Sequence, residues 1–536
     1  MSLRMYRLVV VIISVLFGAI LALWAVLTPG FRAPDEPQHF NSVMRVATGG
    51  GWPSPGAATM SDATLIAAHE AGLTGADKSL SIFTFSVLPR GTLEGWGQQF
   101  VDVSPLTAEE RAVLDHTDDL LDVPPTLDQM AQHPPLFYVL GAGLVRAVGA
   151  LDWRWDQQLL LLRLFSAGLT VWVVPLTAVT TRLLTGNRTA AVAAAVSVIA
   201  VPQFAHIGAS VSNDSLTNLL GAGIVAGSAT VMAARPTWPR VVALGVILGL
   251  GLLTKGFLLA AIPVVAFAVI VGAREDRPRV RLSKAFVALA VAFVVGGWWW
   301  LRNLLVHHTL QPSGMPLFAP DWGDDTPTLG EFLPEALGRS STSFWGNFGW
   351  LEVPLPQPLW LTLTVMCFAA VALGVIVSRR RLRLAVLLIL PLGTLAVVFG
   401  GAFASYQING LFGQLQGRYL FSSIAVLAAA TWLGIDAIAR RLGRRWAHWL
   451  PLVASVASVA LAAVGLITFF QACYQLPTES VIVGLNRWAL WSIAGRAGVV
   501  VTTLVPALAS IILVGVLVVA LRRGRSLRRA PSAVSA

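Results

Sequence analysis

Charge is scarce in this sequence, and so is cysteine. Charged residues supply 12% of the 536 positions against 56% hydrophobic, with a mean hydropathy of +0.72, which excludes a soluble globular chain and marks a multi-pass membrane protein. The two cysteines, Cys367 and Cys473, stand within or near the end of apolar runs, so no disulfide framework exists and redox chemistry has no footing. No His-Glu-x-x-His spacing, Gly-rich phosphate loop, heptad or sustained repeat is found, which removes the common metalloprotease, nucleotide-binding and solenoid readings. The net charge of +11 does not imply a nucleic-acid partner, because the basic residues cluster at the ends of apolar runs.

Those runs set the fold class expected: all-α and polytopic, with about 12 transmembrane helices. Arg4 and Arg7 precede the first run, 8–27, which no small-residue cleavage site follows before Pro29, so an uncleaved span with a cytoplasmic N-terminus is expected. Further spans are expected near 159–181, 189–207, 215–233, 241–254, 256–273, 285–301, 358–377, 384–403, 419–438, 450–470 and 498–521. The stretch from Pro134 to Ala150 is apolar but short, opens on two prolines and contains Arg146. Leaving it out places 24 of the 38 basic residues, and 3 of the 27 acidic ones, in short cytoplasmic segments with both termini inside. The positive-inside rule therefore makes it a re-entrant or membrane-surface helix.

The expected divisions are a first transmembrane helix (1–28), an extracytoplasmic loop with the catalytic motif and surface helix (29–158), helices 2–7 (159–303), an extracytoplasmic aromatic loop (304–357), helices 8–12 (358–521) and a basic cytoplasmic tail (522–536). Within the first loop, Thr107 to Leu114 has the Thr and Glu110 of a capping box and is expected to be helical. Large outer loops and minimal inner ones describe a protein that works on its outer face, in the plasma membrane.

The outer loops hold the chemistry. Just after the first span, Asp35, Glu36 and His39 stand between and beside Pro34 and Pro37, which restrict how neighbouring side chains are presented. On the same side fall His133, Asn213, Asp214, Lys255, Arg302 and the run Gln416, Gly417, Arg418, Tyr419. Ionisable residues at membrane depth are costly enough to be functional candidates. Lys255, Arg302 and Arg418 suit a lipid phosphate, although each could equally be snorkelling to the interface. The segment from Ser343 to Pro354 offers Trp345 and Trp350 as a platform for a sugar ring, with Asn347 and Glu352 for its hydroxyls, or else an aromatic belt of the kind that Trp298 to Trp300 also suggest.

Together, Pro-Asp-Glu-Pro-Gln-His from Pro34, His133-Pro134-Pro135, Asn213-Asp214, Lys255, Phe344 to Trp350 and Gln416 to Tyr419 resemble a bacterial family of multi-pass membrane proteins of unknown function, from about residue 30 to 430. More distantly, the layout resembles the GT-C glycosyltransferases, which take sugars from polyprenyl-phosphate donors outside the cytoplasm. That resemblance implies an acidic catalytic residue in the first outer loop, Asp35, with Glu36 beside it. The function expected is inverting transfer of a sugar from a polyprenyl phosphate to an envelope glycan, lipid or protein acceptor, with membrane lipids around it and no nucleic acid. His39, His133, Asn213, Asp214, Gln416 and Tyr419 would line the substrate. A divalent Mg or Mn ion on Asp35 and Glu36 stays open, as does its absence. The rivals are a transporter or flippase of lipid-linked saccharides and a non-catalytic envelope assembly partner.

Overall fold

Each of the twelve apolar stretches forms helix in the computed structural model of the chain, which describes residues 1–73, 105–114, 125–314, 327–410, 412 and 415–529. Among the described residues, nine helices are long and apolar enough to cross a membrane: Leu3–Leu27, Trp155–Thr185, Asp214–Ala233, Pro278–His307, Gln357–Val377, Arg381–Ile408, Gly417–Leu442, Trp446–Tyr474 and Gly495–Arg522. A bent pair, Arg188–Ala200 and Pro202–Gly208, raises the number to ten if it is one broken span. The expected twelve spans are thus reduced by length. Trp238–Leu252 has 15 residues, about 22 Å of helix, and Gly256–Gly272 is likewise shorter than a full span. The 70° bend falls at Val201 and Pro202, where proline lacks the N–H of a continuing helix and holds its neighbour at φ −109°, ψ 88°.

Burial sorts these helices into inner and outer ones. In the most apolar stretch of Leu3–Leu27, 61% is buried, so the first span is core, whereas 11% in Gln357–Val377 leaves that helix facing lipid. Where Gln357–Val377 meets the core helix Gly417–Leu442, itself 61% buried in its most apolar stretch, small residues do the packing. Ala370 and Gly374 lie against Ala430 and Gly434 so closely that a Cβ on Gly374 would come within 2.1 Å of the Ala430 carbonyl, and one on Gly434 within 2.1 Å of the Ala370 carbonyl. This is the four-residue small-residue spacing by which membrane helices pack without a hydrophobic drive.

The region after the first span folds back over the helix ends. Glu36–Ala47 and Leu136–Ala147 are its main helices, joined through Gly141 packed on Val43. Leu136–Ala147 has 12 residues, about 18 Å, too short to cross the roughly 30 Å hydrocarbon core. Asp128 pins the segment before it: the buried carboxylate accepts from Asn41 Nδ2 (2.7 Å), Ser42 Oγ (2.9 Å) and Arg45 (3.1 Å), although burial itself pushes its pKa up. Thr107 to Leu114 is a turn rather than the expected helix. Glu110 does reach back to the Thr107 N–H and hydroxyl, both at 2.8 Å, but the chain does not continue helically past it. The last part of the expected basic tail, 530–536, lies outside the described residues.

Candidate active site

The site begins where the first helix ends. After the Thr28 cap the chain turns through Phe31 and Asp35, both with φ 61°, before Glu36 opens the next helix with Pro37 in its first turn. Left-handed backbone is tolerated best by Asn, Asp and Gly. Asp35 occupies the N-cap position without capping, which frees its carboxylate to turn outward. Its Oδ2 accepts from Arg418 Nη2 at 2.7 Å and its Oδ1 takes only a long 3.4 Å contact from Gln129 Nε2. The Asp35 side chain is 25% exposed, against 4% for Arg418.

Arg418 and Lys255 extend this pair inward. Arg418 Nε lies 3.6 Å from Asp214 Oδ2, and Lys255 Nζ donates to Asp214 Oδ1 at 2.6 Å and to Asn213 Oδ1 at 3.1 Å. Lys255 sits in the extended break between the two short helices, Trp238–Leu252 and Gly256–Gly272, so the irregular backbone that shortens them also places the ammonium at Asp214. Gly417 is required for the other cation: a Cβ there would lie 2.3 Å from the Ser340 carbonyl. The Tyr419 ring lies beneath both cations, 5.5 Å from Lys255 Nζ and 5.6 Å from the Arg418 guanidinium centre. Arg418 Nε and Nη1 are buried with no hydrogen-bond partner, and so is Asp214 Oδ2. Buried charged donors without acceptors are costly. An incoming anion would satisfy them.

Glu36 is placed otherwise. It is fully buried, receives Arg163 Nε at 2.8 Å and Nη2 at 2.6 Å, and accepts the Val211 N–H at 3.0 Å. Arg163 also donates to the carbonyls of Ala25, in the last turn of the first helix, and of Thr28 and Pro29 just past it, the last of which also accepts the Arg32 N–H. Both Glu36 oxygens are therefore spent, which corrects the expectation of a second carboxylate beside the reacting atoms. The same saturation bears on a metal. With Glu36 held by Arg163 and Asp35 by Arg418, this pair does not fit a divalent ion, and among the described residues no three His, Cys, Asp or Glu side chains converge as ligands.

His39 joins the cluster as a neutral group. Its Nδ1 lies 3.0 Å from the Tyr138 hydroxyl and its Nε2 3.5 Å from Ser212 Oγ, and burial, reinforced by Lys255, holds its pKa well below the ordinary value of 6.5. His133, with its Nδ1 sealed from solvent, is lowered in the same way by burial and by Lys255. An unfolded histidine binds its proton near pH 6.5 and the folded His39 does not, so the unfolded state holds more protons below that pH and folding stability declines as pH falls. The expected slope from His39 is up to about 1.4 kcal/mol per pH unit below 6.5. Thermal unfolding of His39→Gln between pH 7 and 5 should show a shallower decline than the parent; identical curves would discount the effect.

Other sequence candidates lie apart. Arg302 is exposed, 5.2 Å over the Trp299 ring with Nη1 3.4 Å from Asn303 Oδ1, and no ion pair among the described residues ties it to the cluster. This is the geometry of a snorkelling arginine. Trp345 and Trp350 are 8% and 9% exposed and present no open face for a sugar. Trp345 Nε1 donates to Thr364 Oγ1 (2.9 Å) in Gln357–Val377, and Trp350 Nε1 donates to the carbonyl of Phe31 (3.0 Å), which braces the loop that leads to Asp35. Glu352 accepts the Trp350 N–H at 2.9 Å, and the Asn347 N–H donates to Gln203 Oε1 at 2.9 Å. Asn347 Oδ1 and Gln416 Oε1 are buried without partners. Arg163, Gln129 and Tyr138 escaped the sequence analysis. Arg163 had a signal, a charge within an apolar run; Gln129 and Tyr138 had none beyond lying near His133.

A family described as "Predicted membrane protein (DUF2142)" matches residues 17–428. The chain belongs to that family. The matched span of this DUF2142 member includes Asp35, Glu36, Arg163, Asp214, Lys255 and Arg418. No curated protein matches the sequence. Among solved structures, the chain is similar to ArnT from Cupriavidus metallidurans bound to undecaprenyl phosphate, at 13% identity, covering 96% of this chain and 77% of that one, with a TM-score of 0.44. It is also similar to AglB, the Archaeoglobus fulgidus oligosaccharyltransferase in complex with an inhibitory peptide and a dolichol-phosphate, at 14% identity, covering 66% and 49%, with a TM-score of 0.35. Identity and overlap this low say nothing of the reaction.

Proposed function

We propose that the protein is a membrane glycosyltransferase that moves a sugar from a polyprenyl-phosphate donor to a hydroxyl of an envelope glycan, lipid or protein acceptor on the outer face of the plasma membrane. The observation that carries this reading is one partly exposed carboxylate, Asp35, set 2.7 Å from Arg418, whose buried Nε and Nη1 lack hydrogen-bond partners. That arrangement supports base chemistry and phosphate binding in one place. Asp35 Oδ1, the less engaged oxygen, takes the proton of the acceptor hydroxyl as its oxygen attacks the anomeric carbon. The bond from that carbon to the phosphate oxygen breaks in the same displacement, inverting the anomeric centre, and the electron pair leaves on the lipid phosphate. Arg418 and Lys255 stabilise the phosphate charge, so no general acid is needed. Asp214 holds the two cations near each other, and His39, Tyr138 and Asn213 form the neutral wall beside them.

Purified protein given a labelled polyprenyl-phospho-sugar and an envelope extract tests the proposal. Label moving to an acceptor supports transfer, whereas carrier crossing a liposome with its sugar intact would make the protein a flippase. Arg418→Ala separates the phosphate site from the base. It should weaken donor binding by about 1.5–3 kcal/mol, the usual worth of a charge-assisted contact, while the protein still inserts. Unchanged donor saturation kinetics would remove Arg418 from this role.

A further inference from the structure

Two helices that start at the Asp35 cluster run away from it and meet again. Asp214 opens Asp214–Ala233, whose 20 residues carry the chain about 30 Å, and Lys255 precedes Gly256–Gly272. Their far ends and the start of Arg381–Ile408 line a half-open cavity of about 330 Å³. Six arginines line it, Arg235, Arg274, Arg379, Arg380, Arg381 and Arg383, against one acid, Glu275. The next acid, Asp276, is already engaged, by Arg235 at 2.5 Å and Lys284 at 2.6 Å. Arg380 and Arg381 are fixed by backbone, donating to the carbonyls of Leu183 and Ile376. No carboxylate among the described residues pairs with Arg274, Arg379 or Arg383.

We propose that this cavity binds a phosphate-bearing anion, either the headgroup of an anionic membrane lipid or a soluble phosphate, at the membrane face remote from Asp35. The positive-inside rule accounts for arginines at helix ends but not for their convergence from three separate helices on one cavity. Crowded cations repel one another, and an anion between them relieves that repulsion. Guanidinium groups supply the planar paired donors that phosphate oxygens accept. The volume stands at the lower end of the range of ligand pockets, enough for a headgroup whose acyl chains remain in the bilayer.

The test uses the full chain, purified in detergent and stripped of lipid, with phosphatidylglycerol and inorganic phosphate as separate probes. Binding is read by native mass spectrometry and by the shift in unfolding temperature. Arg274→Gln with Arg383→Gln should weaken binding of the favoured probe by about 10-fold or more, since two charge-assisted contacts are lost. Arg4→Gln with Arg7→Gln, an equal change of charge elsewhere in the chain, should leave it unchanged. Binding of phosphatidylglycerol alone assigns a lipid headgroup; saturable binding of inorganic phosphate that displaces the lipid assigns a soluble anion. If the glutamine pair does not fold, Arg274→Lys with Arg383→Lys keeps the charge but loses the paired donors and is read in the same way. Wild-type affinity for both probes in the folded variant, or no binding of either probe to the parent, overturns the proposal.

Discussion

Asp35→Asn is expected to lower the rate of sugar transfer by roughly 10²–10⁴ while leaving donor binding near normal. Asparagine keeps the size of the side chain and can still accept from Arg418, but it cannot take the acceptor proton. It also tolerates the left-handed backbone that Asp35 adopts, so folding should be preserved and the loss should appear in turnover alone. The measurement is a single-turnover transfer rate beside a donor affinity and an unfolding temperature for the same preparation. Full transfer by Asp35→Asn would end the base mechanism.

The second large effect falls on stability. Removing one partner of the buried Glu36–Arg163 pair leaves an uncompensated charge, a loss of about 3–5 kcal/mol in comparable sites. Arg163→Met should be the more damaging single change, because it also strands the carbonyls of Ala25 and Thr28 and leaves that of Pro29 only the Arg32 N–H. Glu36→Gln should lower the unfolding temperature more than it lowers turnover per folded molecule, the reverse of Asp35→Asn. The double variant should regain part of the stability lost by either single one. Single variants that unfold with the parent would show the pair to be dispensable.

Class and helix positions were legible in the sequence because membrane spans must be continuous and apolar. Each of the twelve stretches formed helix, yet the short break at Lys255 and the bend at Pro202 left nine to ten of them as full spans. The break at Lys255 was visible between the runs 241–254 and 256–273, and Pro202 marked the bend; what apolar character did not decide was whether runs this short are full spans. At the site, Asp35, Asp214, Lys255 and Arg418 were each readable as costly polar groups at membrane depth, and the structure brings all four together. Their pairing was not readable, since Asp35 and Arg418 are 383 residues apart. Arg302 had the same sequence signature as Arg418 and differs only in where its helix points it. Trp345 and Trp350 fit both a sugar platform and internal packing by composition, and their burial, with the bonds from Trp345 to Thr364 and from Trp350 to the Phe31 carbonyl, distinguishes the two.

Arg163 also fixes an order of events during biosynthesis. Chains emerge N-terminus first, so the first helix and the Asp35 turn are made well before the arginine that donates to the carbonyls of Ala25 and Thr28 and neutralises Glu36. Until Trp155–Thr185 is inserted, Glu36 has no counter-charge and has reason to stay at the hydrated rim of the bilayer. Arg163 can pair with Glu36 only once that helix is in place, and Arg418 reaches Asp35 only after a further 255 residues of chain have followed Arg163. A ribosome stalled before that point leaves the Asp35 carboxylate without its cation partner.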